Sequence, residues 1–407
     1  MAKKTRNDNG RSSIYEGKDG YWHGRVTVGV LDNGKPDRRH VMSKSRATVA
    51  RKVADLEKAR EAGTATKPGK PMTVEQWIGH WLDDIASITT TGNGWDAYFY
   101  AVKHVRKHVG AHKLPNLRAH HLEAMYRKMQ DAGSSASTAH QVHRTIRTAL
   151  NEAVKRGYLA KNPALIAKPP RIEEEEVEPF DRQEIAKLFA VALQNRNACR
   201  WIIAISLGLR QGEVLGLQWR DVDFDEGTLR VRVQRPRPKW EHGCGDTCGR
   251  KHGGHCPQRV NLRPKTKKPK SAAGTRPIGL PAPLVEYLKQ HREEQDAERV
   301  VAGDLWTEED WLFATETGGE INHRTDQKHW KRLLVAAGVR DARLHDARHT
   351  AATVLVELGV SDPAAMKVMG WSSPTVAKRY QHVGGAVLGD IADRVGSHLW
   401  EASTGPN

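Results

Sequence analysis

The chain has 407 residues and a formal net charge of +17, from 65 Lys and Arg against 48 Asp and Glu. That surplus points to a polyanionic partner, nucleic acid before membrane, and 12 Trp residues argue against a ribosomal or histone-like packing protein. No apolar run approaches the ~20 residues of a membrane span, the basic start lacks the apolar segment of a signal peptide, and four Cys make no disulfide framework, so a cytoplasmic protein with reduced thiols is expected.

The length suggests roughly two to three domains. After a basic polar start, Ile14-Tyr15, Tyr21–Val30 and Arg38–Met42 have strand composition, separated by turns at Gly17–Gly20 and Asp32-Asn33-Gly34. Thr48–Glu61 follows as a helix. A small sheet studded with Arg and Lys suits a DNA groove. Gly63–Pro71 is a linker.

Residues 72–169 are expected to be all-helical. Thr73 caps a helix whose Trp77, Ile78, Trp81 and Leu82 share one apolar face, marking those Trp as core rather than base-stacking platforms. Further helices are expected over Trp95–Val109, His120–Asp131 and Ser137–Lys155. They carry Lys103, His104, Arg106, Lys107, His108, His140, His143, Arg144 and Arg147, a cluster that with Lys113 could contact phosphates. Lys168-Pro169-Pro170-Arg171 and the acidic run Glu173–Glu176 mark the next linker.

Beyond Pro179, Asp181 or Arg182 opens a helix, and Trp201–Leu207 forms a buried one ending at Gly208. Arg210 starts the next helix, with Glu213 one turn on as structural support. Thr228–Val233 alternates as a strand. Then comes a Gly-rich loop bearing three Cys and three His. Cys244, Cys248 and Cys256 with one imidazole make a tetrahedral zinc set, and His252 is the expected fourth member, with His242 and His255 also near in sequence. Cys199, on an apolar helix, is expected in the core. Helices over Ala282–Gln295 and His329–Ala337 read as scaffold.

The stretch from Arg343 to Val383 has more polar equipment than helix packing needs. One helix runs His345–Leu358 and stops at Gly359; Ser361-Asp362-Pro363 starts a second that ends near Gly370; Ser373-Pro374 starts a third bearing Tyr380. His345 and Arg348, three residues apart, share one helical face.

This stretch resembles the tyrosine recombinases, the phage integrase family. His345-Asp346-Ala347-Arg348, then Gly370-Trp371, then Tyr380 nine residues on, match one of its boxes, with Trp371 where many members have His. Leu207–Glu213 matches the other, with Arg210 lying 135 residues before His345. The resemblance implies a multidomain, mainly α fold with small β-sheets. It would comprise an arm-type DNA-binding domain over residues 1–66, a three-stranded sheet plus helix; a helical core-binding domain over 72–169; an α+β catalytic domain over 178–395; and a tail over 396–407. The terminal helix (Val387–Trp400) would pack into a neighbouring subunit.

The implied function is site-specific DNA integration and excision for a phage or mobile element. It proceeds through a 3′-phosphotyrosine and a Holliday junction, and the chemistry needs no metal or ATP. Tyr380 would be the nucleophile. Arg210 and Arg348 would grip the phosphate. Trp371 would donate its indole N–H to that phosphate or pack under it. His345 would accept or orient the phenol proton, with His349 the competitor, and Lys270 would protonate the leaving 5′-oxygen, with Lys265 second. Implied partners are double-stranded attachment sites, a homotetramer on DNA, an excisionase and a host DNA-bending protein. Alternatives are a catalytically silent DNA-binding or architectural protein on the same fold and a type IB topoisomerase, which shares the chemistry.

Overall fold

The computed structural model describes residues 12–30, 34–61, 71–90, 92–173, 177–269 and 271–377. By internal contacts the chain divides into two compact units, residues 1–174 and 175–407.

In the first unit, strands β1 (Ser13–Glu16), β2 (Trp22–Val30) and β3 (Pro36–Ser43) form an antiparallel sheet in the order β1-β2-β3. Val26 and Val28 of β2 point to one face and bury against Val49 and Val53 of helix α1 (Arg46–Glu61). Gly24 lies where α1 crosses, and a Cβ there would sit 2.5 Å from Val53 Cγ2.

A separate helical core lies between residues 74 and 167. Helix α2 (Val74–His80) begins at a capping box: Thr73 Oγ1 accepts from the Gln76 amide (3.2 Å), and Gln76 Oε1 accepts from the Thr73 amide (2.8 Å). It continues into a wider π-helical turn over Trp81–Ala86. Trp77, Ile78, Trp81 and Leu82 are all buried, as their spacing requires. Helices α3 (Asn93–Val109), α4 (Ala119–Asp131) and α5 (Ala136–Lys155) complete the bundle. Trp77 Nε1 donates to the Ala149 carbonyl (3.0 Å), tying α2 to α5. His143 does not join a phosphate-facing cluster: it is buried and its Nδ1 meets Tyr126 Oη at 3.0 Å.

The second unit is built round helix α7 (Cys199–Ser206), of which all but Ser206 is buried. Six of its seven buried residues are apolar, which places it in the middle of the core, and the seventh, Arg200, is paired there with Asp326. Packed near it are α6 (Arg182–Ala192), α8 (Gln211–Val214), α9 (Ala282–Ala302), α10 (His323–Ala336) and α11 (Leu344–Glu357). Helices α9 and α10 run further than expected, seven residues past Gln295 and six before His329. Their added turns carry charged residues and no apolar stripe that would betray them. Helices α12 (Asp362–Met369) and α13 (Pro374–Ala377) follow. Strands β4 (Val222–Asp223), β5 (Thr228–Val231) and β8 (Arg276–Gly279) form an antiparallel sheet, with Leu229 opposite Ile278 and Val231 opposite Arg276.

Between β5 and β8 the chain makes a second antiparallel ladder of β6 (Trp240–His242) and β7 (Arg259–Asn261). The Gln234–Lys267 bridge lies in the same register, so the connection is one long hairpin rather than a free loop. Pro236, Pro238 and Pro264 interrupt its ladder, since proline has no N–H to donate. Among the described residues no helix is long and apolar enough to cross a membrane.

Candidate active site

Arg210 is the N-cap of α8, reached through a left-handed Gly208 (φ 66°). Its side chain is 42% exposed, and Nη1 donates to Glu213 Oε1 at 2.8 Å. Glu213 is buried. Its second oxygen accepts from the Arg210 backbone amide (3.0 Å) and from Arg276 Nη2 (3.4 Å). Burial alone would raise the Glu213 pKa, but Arg276, the Arg210 amide, Arg210 and Arg348 hold it below the usual carboxylate range.

Arg276 is itself buried at the start of β8. Its Nε donates to the Val368 carbonyl (2.6 Å) and Nη1 to the Gly274 carbonyl (3.1 Å). Gly370 ends α12 in the left-handed region, and a Cβ there would stand 2.6 Å from Arg276 Nη1. No larger residue fits that corner without displacing the guanidinium.

Arg348, on α11, is also buried. Its Nη1 donates to the Gly208 carbonyl, and Nη2 to the Met369 carbonyl (2.6 Å). One guanidinium thus fastens the turn that presents Arg210 to the end of α12. Trp371 lies beneath it, its ring centroid 5.9 Å from Arg348 Cζ, in a small apolar cluster with Ala351, Ala352 and Met369. His345, exposed one turn before Arg348, meets His349 edge-on at 5.2 Å between centroids. Partial desolvation, then His349, Arg348 and Arg210, push the His345 pKa down; desolvation does the same for His349. Asp346, the buried first-turn acid of α11, accepts the Arg343 amide at 2.7 Å.

Three guanidinium groups therefore surround one buried carboxylate, beside two imidazoles. That is a cationic seat for an oxyanion such as a phosphodiester. Of the residues singled out in the sequence, Arg210, His345, Arg348 and Trp371 come together here. Lys270 and Tyr380 lie outside the described residues. Lys265 is engaged elsewhere: its Nζ pairs with Glu309 Oε1 at 2.5 Å. Arg276, which follows Lys270 in the sequence, was not expected to have a role in the site. Its one signal is its place opposite the inward Val231 on a half-buried strand, where an apolar residue would be ordinary. Gln211 likewise pins α8, donating to Asp326 Oδ2 (2.8 Å), which belongs to the buried Arg200–Asp326 pair (2.9 Å).

The Cys-rich tip brings together His242, Cys244, Cys248 and Cys256, with donor atoms all within 4.8 Å of one another. His252, the imidazole expected from sequence, is not one of the four. The β6–β7 register carries His242 to the strand end above the thiols, a placement that spacing along a loop does not reveal. Cys199 is buried in the core, which pushes its thiol pKa up to about 12.

Comparison with known proteins places this architecture. The model of the phage integrase family matches residues 178–385. An integrase of Saccharopolyspora erythraea is 44% identical, over 98% of this chain and 99% of its own length. A XerC-like tyrosine recombinase of Caldanaerobacter subterraneus is 29% identical over 94% and 96%. Among solved structures, the Tn1549 transposon integrase in complex with transposon right end DNA superposes with a TM-score of 0.63 at 16% identity, covering 80% of this chain and all of that one. The lambda integrase tetramer bound to a Holliday junction gives 0.54 at 18% identity, covering 92% of this chain and 96% of that one. The chain belongs to the phage integrase family, the tyrosine-type site-specific recombinases.

Proposed function

We propose that this recombinase cuts and rejoins DNA through Tyr380, integrating and excising a phage or mobile element. The observation that carries the proposal is the cluster of Arg210, Arg276 and Arg348 round Glu213, beside His345. The end-to-end match to an integrase supports it.

A phosphodiester in this seat gains negative charge as the phosphorus becomes five-coordinate. Arg210, the exposed cation, forks onto its non-bridging oxygens, oriented by Glu213. Arg348 adds positive charge from behind while holding the Gly208 turn, and Trp371 supports it by packing. A phenol of pKa ~10 is a weak nucleophile at neutral pH. His345, kept neutral by its lowered pKa, accepts the Tyr380 proton as the Oη–P bond forms. The P–O5′ bond breaks, and Lys270 donates a proton to the leaving oxygen. The 3′-phosphotyrosine conserves the bond energy, so the 5′-hydroxyl of another strand reverses the step without metal or ATP.

Two duplex attachment sites exchanged in this way pass through a Holliday junction held by four copies of the chain. The lambda integrase, a structural neighbour, was solved as such a tetramer. An excisionase and a host bending protein complete the proposed assembly. The test is a nicked duplex carrying the crossover sequence of the chain's own element: an SDS-resistant adduct is expected, lost in Tyr380→Phe. Adduct retention in that variant overturns the assignment.

A further inference from the structure

We infer that the tip of the β6–β7 hairpin is a structural zinc site formed by His242, Cys244, Cys248 and Cys256.

The geometry is that of a closed tetrahedral set. Cys256 Sγ lies 3.5 Å from Cys244 Sγ, and His242 Nδ1 lies 3.3 Å from Cys248 Sγ and 3.9 Å from Cys244 Sγ. Zinc bonds of ~2.3 Å to sulfur and ~2.0 Å to nitrogen place tetrahedral ligand atoms roughly 3.5–3.8 Å apart. Three sulfurs and one imidazole nitrogen complete the coordination and leave no position for substrate, which marks a structural ion rather than a catalytic one.

The surrounding backbone is built for the same purpose. Gly245, Asp246 and Gly249 all take left-handed φ, between 62° and 64°, to wrap the chain round these atoms. Gly243 and Gly253 allow close backbone approach: a Cβ would lie 2.2 Å from the Gln258 carbonyl oxygen at the first and 2.6 Å from that of Trp240 at the second.

Beyond the β6–β7 ladder and a few local hydrogen bonds, the tip has almost no buried side chains of its own. Of residues 243–258, only Cys256 is buried. A segment without an apolar core needs a cross-link or a metal. All three cysteines here are free thiols, and a disulfide could use only two of them. Zinc uses all three and displaces their protons on binding. The ion would fix a strongly basic finger, since residues 235–270 hold eleven Lys and Arg against two Asp and Glu.

The test uses the full-length chain, purified under reducing conditions without added metal. Elemental analysis should find one zinc per chain. Cobalt(II) added to the stripped protein should give the visible absorption of a tetrahedral, thiolate-bound ion. Cys248→Ser and His242→Ala should lose the metal, and His252→Ala should keep it. Stripping should also open the Arg250–Lys251 bond to trypsin, a readout independent of recombination. Should Cys248→Ser fail to fold, the wild-type cobalt titration and the two histidine variants decide. Substoichiometric zinc without the cobalt spectrum, a Cys244–Cys256 disulfide, or metal loss in His252→Ala alone each overturns the inference.

Discussion

Glu213→Gln isolates the carboxylate at the centre of the cationic seat. Glu213 and Arg276 have side chains only 2% and 3% exposed and lie 3.4 Å apart. Removing one partner of a buried pair costs about 3–5 kcal/mol, because the other charge is left uncompensated. Gln keeps one oxygen to accept the Arg210 amide, which puts the expectation near the lower end, about 3 kcal/mol. The Arg210 contact adds little to this, since its side chain is 42% exposed and solvent screens it. A unit of this size loses ~2–4 °C of melting temperature per kcal/mol, so the loss is ~6–12 °C. Scanning calorimetry of the full chain measures it, in the transition of the 175–407 unit. The pH dependence supplies a signature. A carboxylate with a depressed folded pKa adds stability that is present above its unfolded pKa of ~4.3 and fades as pH falls through the folded value. The gap between wild type and Glu213→Gln should therefore close in acid. A shift below ~3 °C at neutral pH, or a gap that widens in acid, would refute this account.

Three further outcomes are expected. His345 and His349 have lowered pKa values, so both are neutral at pH 7; the DNA-cleavage rate should hold flat down to about pH 6.5 and fall only below it. His345→Gln should abolish that acid limb and His349→Gln should keep it, and a wild-type rate already falling at neutral pH contradicts the assignment. Gly370→Ala forces a left-handed alanine (φ 64°) against Arg276 and should cost about 2 kcal/mol in urea denaturation; a neutral result would show that the corner is loose. Thr73→Ala removes the α2 cap and should cost about 1 kcal/mol. Its effect should fall on the 1–174 unit, with the other transition unmoved.

Legibility followed periodicity. Trp77, Ile78, Trp81 and Leu82 announce α2 because their spacing fits a helical stripe, and all four are buried. His345 and Arg348 announce a shared face because they lie one turn apart on α11. Long-range pairing left no such trace. Arg276 reaches Glu213 across 63 residues, and only the β5–β8 register turns it inward. His242 reaches the thiols in the same way, through a ladder whose prolines disguise it as a loop. His143 carries a charge-capable ring in a basic stretch, yet Tyr126 holds it in the core. Residue type alone does not tell a solvated imidazole from a packed one.

The Arg348 clamp has a consequence for the order in which this molecule becomes dangerous. It joins carbonyls of Gly208 and Met369, so the phosphate seat cannot assemble while α12 is undocked. Under the proposed function, a chain whose Gly208–Arg210 turn has formed without α12 lacks the Arg348 contact that completes the seat. The Arg210 turn and the end of α12 are thus held by one side chain, and the cationic cluster is complete only with both in place.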